Sequence, residues 1–261
     1  MIDLNKAMEE VKSWAIKAGK IQKENYEKEN LKINTKSSDI DLVTEVDELS
    51  EKIILSAIKE NYSDHGILSE ESDYIEKNSD YLWIVDPLDG TNNYAQGLPI
   101  FAVSIALKFK GEIVLGVVYE PILNEMFSAI KGKGAYLNDK KITVGSKNTL
   151  RQSVLATGFP YDRVTNIDNN LNYLNSILPK LRGIRRMGAA AYDLANVACG
   201  RLDGYWELRL SPWDVAAGRI LIKEAGGKVI DIPNKRKVSI VAGNSQICDL
   251  IMGEIKLLEE K

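Results

Sequence analysis

A short apolar run from Tyr81 to Val85, which leads directly into the carboxylate of Asp86, constrains the fold more than any other feature. A strand with one wet face alternates apolar and polar residues, whereas a strand covered on both faces is apolar throughout. A second carboxylate, Asp89, follows three residues later. The pattern therefore predicts a buried strand inside a layered protein, with polar chemistry where the strand ends.

The rest of the chain shows both helical and strand periodicity. Apolar residues recur every three or four positions from Leu4 to Ile21 and again from Val46 to Ile58, which predicts two amphipathic helices. Short β-rich runs predict further strands at residues 101–109, 112–120, 126–130, 153–157, 184–187, 228–232 and 238–242. Helices are predicted near residues 168–178, from 190, from 212 and at the C terminus. This mixture indicates an α+β or α/β fold in layers.

Composition limits the class of protein and its partners. The chain has 261 residues, no repeat and no flexible linker, so we expect a single unit spanning 1–261 with approximate halves 1–145 and 146–261. A formal net charge of -3 provides no general attraction for nucleic acid or an anionic membrane. Two cysteines, Cys199 and Cys248, and a charged amino terminus without a signal-peptide pattern indicate a cytoplasmic protein.

The segment after the first strand has the groups needed to hold a divalent cation beside an anion. Pro87 restricts Asp86 to extended geometry, so both carboxylates and the Leu88 carbonyl can be aimed into one space. Gly90 allows a tight turn, after which backbone N–H groups can face a phosphate if a helix starts there. The alternative is an ordinary turn, because Asp, Pro and Gly are turn residues in any protein.

Two other acidic motifs could also have ordinary structural roles instead of binding a metal. Glu70 and Glu71 lie in a loop, where adjacent glutamates are normally solvated. Asp214 follows Pro212 at a predicted helix start, where an acidic residue is stabilised by the helix dipole. Judged singly, each motif remains open between a structural and a ligand role.

Taken together, these motifs resemble the inositol monophosphatase family of lithium-sensitive, metal-dependent phosphatases, a superfamily that includes fructose-1,6-bisphosphatases. The matches cover nearly the whole chain in the same order. They are residues 41–47 (DLVTEVD), 70–72 (EES), 83–94 (WIVDPLDGTNNY), 134–138 (GAYLN), 213–218 (WDVAAG) and 224–227 (EAGG).

The resemblance implies a set of metal ligands. One ion would be held by Glu70, Asp86 and the Leu88 carbonyl, and a second by Asp86, Asp89 and Asp214, with Asp86 bridging. Oxygen donors without His or Cys suit Mg²⁺ and disfavour zinc. The family implies two to three Mg²⁺ ions per site, with Mn²⁺ as a substitute and Li⁺ and Ca²⁺ as inhibitors.

The resemblance also implies the catalytic and substrate-binding residues. Asp47, Glu70 and Thr91 would orient a water toward phosphorus, whereas the sole histidine, His65, falls outside every motif and is expected to be structural. The expected substrate-binding residues are Gly90, Thr91, Asn92, Arg185, Gly188, Ala189, Ala190 and Glu207.

Specificity is less well determined. Arg185 and Arg186 would suit a second phosphate or be solvated surface. Ala189 and Ser69 depart from residues common in the family, and the loop at residues 158–163 is expected to approach the site. These features leave the substrate's alcohol open.

The family fold is a layered α-β-α-β-α sandwich that commonly forms homodimers. The resemblance predicts a Mg²⁺-dependent phosphomonoesterase acting on inositol 1-phosphate, a phosphorylated polyol. The alternative activities are hydrolysis of fructose 1,6-bisphosphate, a dual inositol monophosphatase/fructose bisphosphatase activity, and hydrolysis of 3'-phosphoadenosine 5'-phosphate. A non-catalytic regulatory scaffold is the alternative from a different class. The chain has no G-x-x-x-x-G-K-[ST] loop for a nucleoside triphosphate.

Overall fold

The computed structural model describes residues 2–26, 28, 33–35, 42–233, 235 and 237–260. Asp41, with which the first matched motif begins, lies outside the described residues. The α-helices are α1 Leu4–Asn25, α2 Glu45–Asn61, α3 Thr91–Ala95, α4 Leu171–Ile177, α5 Ala190–Ala198, α6 Pro212–Glu224 and α7 Ser245–Glu259. Short 3₁₀ turns occur at Leu150–Gln152 and Leu178–Lys180.

The strands form three sheets. In chain order they are β1 Ile33–Thr35, β2 Leu42–Thr44, β3 Gly66–Ser69, β4 Tyr81–Asp89, β5 Ala102–Phe109, β6 Glu112–Glu120, β7 Glu125–Ile130, β8 Gly134–Leu137, β9 Lys140–Ile142, β10 Val154–Thr157, β11 Gly183–Arg185, β12 Gly204–Leu210, β13 Lys228–Asp231 and β14 Val238–Gly243. The orders are β1-β2, β3-β4-β5-β6-β7-β8-β9 and β11-β10-β12-β14-β13.

The two larger sheets and the helices stack as five layers. Helices α1 and α2 pack on one face of the seven-stranded sheet, where Trp14 and Trp83 meet edge to face. Helices α5 and α6 contact strands of both sheets and form the middle layer. Helices α4 and α7 cover the outer face of the five-stranded sheet. The predicted α-β-α-β-α sandwich is confirmed.

Local sequence explains where the helices that matter for the site begin. Thr44 caps α2 in a reciprocal capping box with Asp47, and Ser211 forms the same arrangement with Asp214 ahead of Pro212 in α6. Both caps satisfy backbone N–H groups that a helix start leaves unpaired. They also bring two of the predicted site carboxylates to the first turns of their helices.

The strand predictions are largely confirmed, with two kinds of correction. Strands β4 to β9 pair consecutively and antiparallel as a meander. Strands β1, β2, β3, β8, β9 and β12 were not predicted, because the first five have only three or four residues and β12 mixes charged with aromatic residues. Among the described residues, no helix is long and apolar enough to cross a membrane.

Candidate active site

A cavity of about 560 Å³ lies where β4, α5, β12 and the start of α6 meet. It brings together every predicted metal or substrate residue except Arg185. The predicted residues that line it are Glu70, Asp86, Leu88, Asp89, Gly90, Thr91, Asn92, Gly188, Ala189, Ala190, Glu207 and Asp214.

The end of β4 differs from the expectation that the strand stops at Asp86. Pairing with β5 continues to Asp89, with an irregular register between Asp86 and Asp89. Pro87 has no N–H to donate to a sheet ladder, which explains a bulge at this point. The Asp86 carboxylate accepts a hydrogen bond from the Leu88 N–H at 3.1 Å. Both carboxylates therefore lie on one distorted strand end that lines the cavity.

Gly90 directs the chain from β4 into α3. Its φ of +98° is a left-handed conformation, and a Cβ there would lie 2.8 Å from the Ile100 carbonyl oxygen. Only glycine fits this turn without strain. Helix α3 begins at Thr91, which meets the condition for the backbone N–H groups after Gly90 to face an anion.

Beneath the cavity, the Thr91 hydroxyl contacts a buried carboxylate. Its oxygen lies 2.8 Å from Asp47 Oδ1 and 3.1 Å from the Leu88 carbonyl oxygen. The other Asp47 oxygen accepts hydrogen bonds from the backbone N–H and hydroxyl of Thr44, at 2.9 Å and 2.5 Å. Asp47 does not line the cavity itself, but it sets the orientation of the hydroxyl that does. We refer to Asp86, Asp89, Gly90 and Thr91 as the β4 end.

The Asp89 carboxylate, at the end of β4, contacts the first turn of α5. Its two oxygens accept hydrogen bonds from the N–H groups of Ala190, Ala191 and Tyr192, at 3.0, 2.8 and 3.2 Å. Burial raises the pKa of Asp89 to about 7, although these three hydrogen bonds favour the charged form. The carboxylate of Glu70 raises the pKa further.

Burial and hydrogen bonding also have opposite effects on the pKa of Asp214. Its Oδ2 accepts the Ser211 N–H at 2.7 Å, while burial and then the charge of Glu70 raise its pKa well above the ordinary value. Carboxylates that repel one another around a shared cavity are the donor set that a hard divalent cation neutralises. The donor types therefore fit such an ion. Among the described residues, however, no group of three or more Asp, Glu, His or Cys is arranged closely enough to hold a metal as it stands.

The opposite side of the cavity is built from α5 and β12. Glu207 on β12 accepts a hydrogen bond from the Tyr205 hydroxyl, and a Cβ added at Gly158 would lie 2.2 Å from its carboxylate oxygens. Burial raises the pKa of Glu207 to about 7. Asp193 of α5 also lines the cavity and is only 2% exposed. We refer to Gly158, Asp193 and Glu207 as the α5–β12 wall.

Sequence reasoning missed Asp193 and misplaced the arginine. Arg185 is exposed, donates to its neighbouring Ile184 carbonyl and is not among the cavity-lining residues, so its predicted place at the site is wrong. The adjacent Arg186 lines the cavity instead, because successive residues of an extended segment face opposite sides. The available signal for Asp193 was that it is the single charged residue in α5.

The loop after β10 and the sole histidine lie as expected. Residues 158–162 line the cavity. His65 is buried beside β4, accepts a hydrogen bond from Trp83 Nε1 at 3.1 Å and is not a lining residue. Burial lowers its pKa, and the carboxylate of Asp64 only partly offsets this.

The comparisons with known proteins define a class of metal-dependent phosphatase. A model described as the inositol monophosphatase family matches residues 3–256. The match spans nearly the whole chain, so this protein belongs to the inositol monophosphatase family and is a phosphatase.

Curated relatives have two different names. The chain is 44% identical over 225 residues to Nus factor SuhB of Pseudomonas aeruginosa, covering 83% of each protein. It is 40% identical over 248 residues to an inositol-1-monophosphatase of Mesorhizobium japonicum, covering 93% of each.

Solved structures agree with the fold. The extragenic suppressor protein suhB of Bartonella henselae matches with a TM-score of 0.91 at 41% identity, covering 96% of this chain and 98% of that one. The inositol monophosphatase of Anabaena matches with a TM-score of 0.87 at 39% identity, covering 98% and 97%.

Proposed function

We propose that this protein is a Mg²⁺-dependent phosphomonoesterase that hydrolyses inositol 1-phosphate to myo-inositol and phosphate. The observation that carries the proposal is the Thr91–Asp47 hydrogen bond directly beside the acidic cavity. A buried pair of this kind holds a hydroxyl in one orientation, which a hydrolytic site requires of the group that positions its water. The family membership supplies the reaction class.

The proposed ligands are the cavity carboxylates. Glu70, Asp86 and the Leu88 carbonyl would hold one ion, and Asp86, Asp89 and Asp214 a second, with a third site near Glu70 as a further prediction. Bound Mg²⁺ supplies positive charge that makes a water more acidic and offsets charge on the phosphate. Mn²⁺ is the proposed substitute, and Li⁺ and Ca²⁺ are the proposed inhibitors.

The chain's own groups position the reactants. Because the Thr91 hydroxyl donates its hydrogen to Asp47, its oxygen can accept a hydrogen bond from the attacking water, and the proton that the water loses would pass through Thr91 to the Asp47 carboxylate. Glu70 is the second proposed acceptor. The N–H groups at Gly90 to Asn92 would bind the phosphate oxygens where α3 begins.

The proposed alcohol contacts come from α5 and β12. Glu207 is a fixed hydrogen-bond acceptor, and the segment from Gly188 to Ala190 supplies backbone groups next to it. A solved structure named inositol monophosphate bound SaIMPase-II is similar to this chain, with a TM-score of 0.77 at 26% identity. These observations favour a polyol phosphate as the substrate.

A second candidate is a bisphosphorylated sugar such as fructose 1,6-bisphosphate. Arg186 places a cation at the cavity, close enough to Asp193 and Glu207 to favour their charged forms, and a second phosphate would gain from it. A similar solved protein is named inositol monophosphatase-fructose 1,6 bisphosphatase, with a TM-score of 0.78 at 28% identity. Because 3'-phosphoadenosine 5'-phosphate also carries a second phosphate, Arg186 does not separate the two, and the dual activity ranks above it on the name of this similar protein.

The non-catalytic scaffold remains the rival from another class. The name Nus factor SuhB, given to several relatives, does not state a phosphatase reaction. Against a vestigial site, the chain retains all four carboxylates and the Thr91–Asp47 pair. A cytoplasmic homodimer, with metal and phosphate motifs in residues 1–145 and with the substrate contacts and Asp214 in residues 146–261, completes the proposal.

The test is phosphate release from inositol 1-phosphate, fructose 1,6-bisphosphate and 3'-phosphoadenosine 5'-phosphate, with Mg²⁺ or with EDTA. We expect the highest kcat/KM for inositol 1-phosphate and no release in EDTA. Asp89→Asn should lose activity, whereas Asp80→Asn, the same change in an exposed residue just before β4, should not. Silence on every substrate would favour the scaffold. Release that survives both EDTA and Asp89→Asn would sink the metal mechanism.

A further inference from the structure

Asp193 is a buried carboxylate that the proposed reaction does not use. It is 2% exposed, it lines the cavity, and its Oδ1 has no hydrogen-bond partner among the described residues. A buried polar atom left without a partner destabilises a protein by about 1–3 kcal/mol. Such an atom at a cavity wall therefore calls for an explanation.

Helix capping does not explain it. Asp193 lies in the first turn of α5, where a carboxylate would ordinarily bond the free N–H groups of the helix start. Those N–H groups, on Ala190, Ala191 and Tyr192, already donate to Asp89. The N–H of Asp193 itself donates to the Ala189 carbonyl. The helix start is satisfied by another acid.

An ion pair does not explain it either. No ion pair to Asp193 occurs within the described part of the chain, although the field of Arg186 favours its charged form. Burial, and then the charges of Glu207 and Asp89, raise the pKa of Asp193 well above the ordinary value. Asp193 thus lies among other acids, in a buried place where a structural role would select an apolar residue.

The surroundings of Asp193 are suited to a hydroxylated ligand. Glu207 accepts a hydrogen bond from the Tyr205 hydroxyl, and its carboxylate lies close to Gly158, which has no side chain in the way. Asp193 lies close enough to Glu207 for the two charges to perturb each other. Two acceptors fixed on the α5–β12 wall match neighbouring hydroxyl groups of a polyol, each of which carries one donor hydrogen.

We propose that Asp193 is a specificity-determining residue that hydrogen-bonds a ring hydroxyl of the substrate's alcohol, next to the hydroxyl bound by Glu207. The proposal rests on the proposed phosphatase function and adds a contact to it. It accounts for the acid in α5: the ligand completes the hydrogen bonding that the protein leaves open. A site built in this way discriminates strongly against analogues that lack the hydroxyl.

The experiment compares ligands that share the phosphate and differ in hydroxyl groups. Inositol 1-phosphate is compared with cyclohexyl phosphate, which has the same ring without the other hydroxyls, and with inorganic phosphate. The last two are measured as competitive inhibitors where they are not hydrolysed. Asp193→Asn keeps the shape and removes the charge, and Asp193→Ser repeats the test should the first variant fail to fold.

We expect Asp193→Asn to lower kcat/KM for inositol 1-phosphate about 10- to 100-fold, mainly through KM. The inhibition constants for cyclohexyl phosphate and phosphate should change far less. The matched control is Asp203→Asn, a second acid at 2% exposure, which pairs with Lys147 outside the cavity. Asp203→Asn should lower the unfolding temperature. It should not change the kcat/KM for inositol 1-phosphate relative to the inhibition constants of the other two ligands.

The outcomes separate the two proposals. Equal changes for all three ligands in Asp193→Asn, or in Asp193→Ser, would show that the residue is merely structural and overturn its specificity role. No phosphate release by the wild-type protein from any substrate would instead sink the proposed function itself.

Discussion

The β4 end and the α5–β12 wall line the same cavity, but their residues are arranged differently along the chain. At the β4 end, Asp86, Asp89, Gly90 and Thr91 are nearly consecutive, and strand, bulge and helix start follow from their local chemistry. In the wall, Gly158, Asp193 and Glu207 come from three separate segments. A local motif can be read directly from the sequence, whereas a wall assembled by tertiary packing cannot. We therefore expect changes at the β4 end to affect the reaction itself and changes in the wall to affect the choice of alcohol.

The largest effect is expected for Thr91→Val, which keeps the shape and removes the hydroxyl bonded to Asp47. Loss of a group that positions and deprotonates water lowers kcat by about 100- to 10,000-fold. Steady-state kinetics should show the same loss for inositol 1-phosphate and for fructose 1,6-bisphosphate. Thr91→Ser, which restores the hydroxyl, should recover most of the rate. Unequal losses on the two substrates would contradict the division between the regions.

Gly158→Ala, in contrast, should weaken recognition of the alcohol and leave phosphate binding almost unchanged. The added Cβ would lie 2.2 Å from the Glu207 carboxylate, a flexible side-chain end that can move aside. We expect kcat/KM for inositol 1-phosphate to fall about 10-fold through the displaced acceptor, with inhibition by inorganic phosphate almost unchanged. Gly132→Ala tests for a general effect of the substitution, because nothing lies near its Cβ, although its positive φ adds strain. A parallel rise in the phosphate inhibition constant would show that the wall also supports the phosphate.

Gln22→Leu tests how far support for the β4 end extends. Gln22 on α1 is fully buried, and its Nε2 donates to the Pro87 carbonyl at 2.7 Å. Removing this donor should lower the free energy of unfolding by roughly 1–3 kcal/mol, because the carbonyl loses its partner. Urea unfolding measures that loss. Activity should fall equally on all substrates, and a change in substrate ratio would contradict the expectation.

The smallest effect concerns pH and lies outside both regions. Burial lowers the pKa of His65 from its ordinary value of 6.5, so the folded state holds this group neutral. Its contribution to stability is present above pH 6.5 and is lost as pH falls from there through the folded pKa, by at most about 1.4 kcal/mol per pH unit. Urea unfolding between pH 7.5 and 5.5 measures this contribution as the difference in slope between the wild type and His65→Gln, since Asp89 and Glu207, whose pKa values burial raises to about 7, titrate with the opposite sign in both proteins.

What the sequence predicts well is what neighbouring residues determine. The meander, the cap of α2 and the αL turn at Gly90 each follow from a few adjacent side chains. Strand β12 was missed because Glu207 and Arg209 interrupt its apolar pattern, and the charge of Glu207 faces a cavity that only the folded chain creates. Arg185 and Arg186 were both candidates for a second phosphate, and the sequence could not show that only Arg186 lines the cavity, because one step along an extended segment reverses the side that a residue faces.

The hydrogen bonds from α5 to Asp89 join the two regions into one mechanical unit. The same carboxylate that is proposed to hold a metal ion is the anchor of the helix that carries Asp193 four residues after Ala189. A cation held by Asp89 would therefore act on the same carboxylate that accepts the N–H groups of the first turn of α5. We therefore expect metal binding at Asp89 and binding of the alcohol at the α5–β12 wall to be coupled. An affinity for a polyol phosphate is then meaningful only at a stated metal concentration.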